Sequence, residues 1–122
     1  MIIDIHCHLW DGNIPSKSWW DTFIKVSASL SGRPEEKVRE RMPGWLDPTG
    51  DLLVSDMDEA GIDKSVILPI DYVTGGGVGD VASLEEQHRM YARAAEGHPD
   101  RLIAFAGIDP RRPEAVSFLE RA

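Results

Sequence analysis

Short apolar runs alternate along this chain with stretches of helical period. Residues 1–9, MIIDIHCHL, form an isoleucine-rich run that ends at the turn-forming Asp11-Gly12-Asn13, which predicts a buried first strand. Over residues 16–42 the period becomes helical. Trp19, Trp20, Phe23, Ile24 and Leu30 are spaced to share one face, Gly32 interrupts the pattern, and residues 34–42 predict a second, mostly charged helix stopped by Pro43. Asp47-Pro48 predicts the start of a further helix running through Leu52, Leu53 and Met57 to a C-terminal cap at Gly61.

Residues 64–70, KSVILPI, are continuously apolar but too short for a helix, which suits a strand covered on both faces. A glycine-rich loop, Thr74-Gly75-Gly76-Gly77-Val78-Gly79, follows. It lacks the lysine and the strand-to-helix placement of a phosphate loop, so it is read as plain loop. Ser83 and Glu86 have capping-box spacing and open a helix with Leu84, Tyr91, Ala94 and Ala95 inward, ended by Gly97 and Pro99. Residues 101–108 predict a third strand, and Pro113 opens a last helix with Val116 and Leu119 on one side.

Strands alternating with helices predict an α/β fold with a parallel sheet and right-handed crossovers, carrying a helical insertion over residues 13–46 after the first strand. The 122 residues are read as one domain. Three parallel strands leave two open edges and a half-covered face. The pattern also stops at Ala122 within a helix, so the reading expects the remainder of a larger barrel, or a second copy in a homo-oligomer, to cover them.

Composition narrows the partners. The chain has 21 acidic against 13 basic residues, a net charge of −8, which opposes the counterion release that polyanion binding needs and argues against nucleic acid. No apolar run approaches the roughly 20 residues of a membrane span, and the N-terminus lacks the pattern of a secretory signal. The expectation is a cytoplasmic protein with no membrane partner. Cys7, the lone cysteine, cannot form an internal disulfide, so the fold must rest on packing or on a metal.

The chemistry concentrates in IIDIHCHLW. Strand alternation places Asp4, His6 and His8 on one face, with Ile3, Ile5, Cys7 and Leu9 on the other. Two residues apart on a strand is roughly 6.6 Å between Cα atoms, from which two imidazoles can converge on one ion. His-x-His pairs often bind nothing. Here, though, three polar residues interrupt a strand that should be core, and burying them without compensation is costly. His6 and His8 are therefore assigned as metal ligands, with Zn2+ the expected ion, and Asp4 as the group that orients an imidazole. Trp10 is assigned to the wall of a substrate pocket, with ordinary packing as the alternative. His88 and His98 are expected to be structural or solvent-facing, and Cys7 to point away from the histidines. Pro69, Asp71, Tyr72, Asp109 and Pro110 end the second and third strands near the expected site.

IDIHCH resembles the first strand of the amidohydrolase superfamily. LLVSDMDEAGIDKSVILP resembles the helix and second strand of its amidohydrolase-related branch, which includes the aminocarboxymuconate-semialdehyde and resorcylate-type decarboxylases. HPDRLIAFAGIDPRRPEAVSFLERA resembles the third strand and helix of the same branch. The likeness covers nearly the whole chain apart from residues 13–46. It implies the first part of a (β/α)8 TIM-type barrel, with a metal held by His6 and His8 at the C-terminal mouth and further ligands supplied by later strands. A complete barrel needs about 250 residues.

The function expected on this basis is metal-dependent hydrolysis, or non-oxidative decarboxylation, of a small carboxylate-type substrate. One alternative is a TatD-like metal-dependent nuclease, a family with a similar opening strand, which the acidic balance and the later motifs weaken. Another is a non-catalytic fragment or interaction module.

Overall fold

The three apolar runs form a parallel sheet. The computed structural model describes residues 1–71 and 83–121, and within them β1 (Ile3–Cys7), β2 (Lys64–Ile67) and β3 (Leu102–Ala104) lie in the order β1-β2-β3. Both pairings are parallel, so the C-terminal ends of the strands gather along one rim. The central strand is the most enclosed: Ser65, Val66 and Ile67 are all buried. This is what the unbroken apolar run of β2 requires.

Helices join the strands. α1 (Lys17–Ser31) and α2 (Glu35–Arg41) form the insertion after β1 and are followed by a short 3-10 turn at Met42–Trp45. α3 (Asp51–Ala60) leads into β2, α4 (Leu84–Gly97) into β3, and α5 (Ala115–Leu119) follows β3. The main core combines Met57 of α3, Met90, Tyr91 and Ala94 of α4, Ile67 of β2 and Leu102 of β3. A smaller cluster of Ile24, Ala28 and Val38 holds the insertion together.

Local chemistry sets the helix ends. Ser16 caps α1 through Trp19 N–H, and Gly32 closes it in the left-handed conformation. The expected capping box of Ser83 and Glu86 is complete at the start of α4. Among the described residues, no helix is long and apolar enough to cross a membrane. The glycine-rich loop at residues 74–79 and Tyr72 lie outside the described residues.

Several expectations need correction. α3 begins at Asp51 rather than at Asp47-Pro48, because Gly50 turns the chain at φ 81° first. Asp47 still satisfies a backbone donor of this helix, accepting from Leu53 N–H at 2.9 Å. The buried face of α1 is Trp20, Ile24 and Ala28, and Leu30 is 83% exposed: the helix packs on α2 across a narrower stripe than the apolar spacing implies. On α5 the inward residues are Ala115 and Phe118, while Val116 and Leu119 face outward. There the rings of Phe118 and His88 on α4 meet edge to face at 4.8 Å, with Phe118 buried against α4.

Candidate functional site

β1 is not a regular strand. Asp4 pairs with Ser65 and Cys7 with Ile67, so Ile5 and His6 together oppose the single residue Val66. Such a bulge reverses the alternation beyond it. Ser65 and Ile67 share a face of β2, so their partners Asp4 and Cys7 share a face of β1, and the Cys7 thiol donates to Asp4 Oδ2 at 3.1 Å. Asp4 therefore does not belong to the histidine set. Its other oxygen, Oδ1, accepts from His6 N–H at 3.0 Å, so its hydrogen bond to His6 goes to the peptide and not to the ring.

These bonds fix the charge states around the bulge. The His6 peptide bond and the Cys7 thiol hold the Asp4 carboxyl below its usual range. Burial, reinforced by Asp4, pushes the Cys7 thiol up to about 11. Cys7 packs on the core, so it turns away from the histidines as expected and stays a neutral thiol near pH 7.

His6 and His8 do converge. Their Nε2 atoms lie 3.1 Å apart, with the rings nearly perpendicular at 89°. His8 Nδ1 lies 2.7 Å from Leu68 O, just past the end of β2, and beside a carbonyl it can only be the donor. That bond fixes the tautomer, leaving the Nε2 lone pair of His8 directed at His6. Two Zn–N bonds of about 2.0–2.1 Å at a near-tetrahedral angle would set their nitrogens roughly 3.3 Å apart, so the pair fits a shared divalent ion. With a proton on His6 Nε2, the same contact is a hydrogen bond. Among the described residues, no group of three His, Cys, Asp or Glu side chains gathers as a complete ligand set.

The segment that carries His8 is clamped from α4. Tyr91 Oη accepts from Leu9 N–H at 2.9 Å and donates to Leu9 O at 3.0 Å. Burial pushes this phenol up to about 12, partly opposed by its bond to Leu9. Sequence reading places Tyr91 inward as an apolar residue but cannot see this role, because its partner lies 82 residues away. At the same rim Arg112 forms a two-pronged ion pair with Asp71, which is itself bonded by Asp109 N–H. This pair ties the end of β2 to the segment after β3.

Neither protein-family models nor curated proteins give a match to this chain. The chemistry must therefore be read from the residues themselves.

Trp10 packs beside His8, with ring centroids 6.1 Å apart, and belongs to an aromatic group with Trp19, Trp20 and Phe23. It also lines a cleft of about 350 Å³ that includes His8, Phe23, Trp45 and Asp56. A larger groove of about 490 Å³ between α4, β3 and α5 contains His88, both of whose nitrogens are occupied. Its Nδ1 donates to Leu84 O at 2.7 Å and its Nε2 accepts from Gly107 N–H at 3.0 Å. His98 caps α4 and pairs with Asp51. Both histidines are structural, as expected.

Proposed function

We propose that this chain carries the opening β-strands of a (β/α)8 barrel of the amidohydrolase type, in which His6 and His8 hold a divalent ion, most naturally Zn2+. The activity is hydrolysis or non-oxidative decarboxylation of a small carboxylate-type substrate. One observation carries the reading: the 3.1 Å approach of the two Nε2 atoms, with His8 oriented by a backbone carbonyl through its other nitrogen. An outer hydrogen bond of this kind is the usual device for aiming a metal-binding imidazole.

The parallel order of the strands and the position of the pair at their C-terminal rim agree with where barrel enzymes place their chemistry. A divalent ion held there would polarise a substrate oxygen or lower the pKa of a bound water. The chain's own residues do the holding: Leu68 O orients His8, Asp4 secures the His6 peptide, and Tyr91 fixes Leu9. In this reading the remaining ligands and the acid/base groups come from later strands of the barrel.

The test is a Zn2+ titration against a competing chelator, backed by Co2+ absorption. Wild type should bind one ion, and His6→Ala and His8→Ala should each lose that binding, with His88→Ala unchanged. Equal affinity in wild type and His6→Ala would sink the assignment.

A further inference from the structure

The cleft beside His8 has a composition that the metal reading does not explain. Trp10, Phe23 and Trp45 line it, and Phe23 meets both tryptophans, at 5.5 Å from Trp10 with 46° between planes and at 5.7 Å from Trp45 with 83°. Phe23 also stacks on Trp19, 5.1 Å away with 12° between planes, so the three lining rings are held in place by a packed aromatic group. Two carboxylates, Asp47 and Asp56, lie on the same lining, and no lysine or arginine does so among the described residues.

The two carboxylates differ. Asp47 is buried and spends its oxygens on Leu53 N–H and the Thr49 hydroxyl. Asp56 projects from α3 as an exposed residue, and no hydrogen bond or ion pair among the described residues engages its carboxylate. An anion entering the cleft would approach two negative charges, whereas a cation would gain the attraction of Asp56, which a neutral group would not. Aromatic faces combined with a carboxylate favour an organic cation. The volume of about 350 Å³ falls within the range of small-molecule sites.

We infer that this cleft binds an organic ammonium group, held against the aromatic lining of Trp10, Phe23 and Trp45 and by the Asp56 carboxylate. A substrate would then place its amino end here and its carboxylate at the histidine pair. That joint statement rests on the metal reading, whereas the preference of the cleft for a cation does not.

The experiment is a tryptophan-fluorescence titration of the full chain in chelator at constant ionic strength, with choline and its neutral isostere 3,3-dimethylbutan-1-ol as probes. Choline should quench saturably and bind roughly 2- to 30-fold more tightly than the alcohol. Asp56→Asn, an exposed substitution, should reduce that preference and leave the affinity for the alcohol unchanged. The inference is overturned if choline gives no saturable response, if it binds no more tightly than the alcohol, or if Asp56→Asn keeps the full preference. Because the metal is removed throughout, none of these outcomes depends on His6 and His8 as ligands.

Discussion

The four histidines divide between two regions, and the division shows what makes a histidine available for chemistry. In the helix-covered body, His88 spends one nitrogen on Leu84 O and the other on Gly107 N–H, and His98 caps α4 while pairing with Asp51. At the rim, His8 spends only Nδ1 on the backbone and turns Nε2 toward the Nε2 of His6. The same side chain is a strut where the fold occupies both nitrogens and a candidate ligand where it leaves one facing another imidazole.

The largest effect should come from breaking the rim pair. His6→Ala should weaken metal binding by more than the roughly 10–100-fold typical of losing an outer hydrogen bond. Because His6 is exposed, its urea midpoint should stay close to wild type. His88→Ala should do the reverse. It strands the Gly107 N–H and removes the ring against Phe118, costing about 1–3 kcal/mol in urea unfolding with metal affinity unchanged.

Gly107→Ala should act at the same residue through a different neighbour. A Cβ there would meet Pro69 O at 2.6 Å, and backbone cannot give way as a flexible side chain does, so a loss of about 1–3 kcal/mol is expected. A Gly107→Ala chain as stable as wild type would mean that the approach of β2 and β3 beyond the sheet is looser than described.

Tyr91→Phe sharpens the comparison because Tyr91 belongs to the body but acts on the rim. Losing both bonds to Leu9 should cost about 1–2 kcal/mol, and freeing the segment that carries His8 should weaken metal binding by about tenfold. The pH dependence follows from the raised phenol. Below pH 10 the folded and unfolded chains both hold its proton. As pH rises from 10 toward about 12 the unfolded chain ionises first, so stability is lost across that window. The fall in urea midpoint over this range should be smaller in Tyr91→Phe.

The smallest effect belongs to Asp51→Asn. The exposed Asp51 holds its carboxyl low through Thr49 first and His98 second, and an exposed pair of this kind contributes little. No measurable change in midpoint at pH 7 is expected, and a large one would move His98 from a peripheral strut to a central one.

Much of the scaffold was legible beforehand. The strand segments at β1, β2 and β3, the cap residues Ser16 and Ser83, and the stops at Gly32 and Gly61 all act over a few residues, where period and backbone preference decide the outcome. The expected burial of β1 did not follow: Ile3, Ile5 and His6 are exposed, because among the described residues β1 is an edge strand, paired on one side only. The position of His6 on a strand was legible for the same reason, whereas His8, expected on the same strand, lies just past the end of β1. What failed was whatever needed a neighbour. Leu30, Val116 and Leu119 have apolar spacing but no partner surface, and they stand exposed. Asp4 left the face of the histidines because β1 carries one residue more than β2 between their shared pairs.

The amino-acid order alone determined the sequence of strands and helices, that the strands run parallel, and that two imidazoles sit two residues apart, while the strands came out shorter than their apolar runs and α3 began later than its cap residue implied. Tertiary structure decided the rest: the bulge that moves Asp4 to the face of Cys7, the Leu68 carbonyl that selects the tautomer of His8, the Tyr91 hydroxyl on Leu9, and the aromatic wall assembled from Trp10, Phe23 and Trp45. Each of these depends on pairing or packing between segments distant in the chain. Local propensity carries no information about such contacts, because they are set by register and by which faces have room to meet.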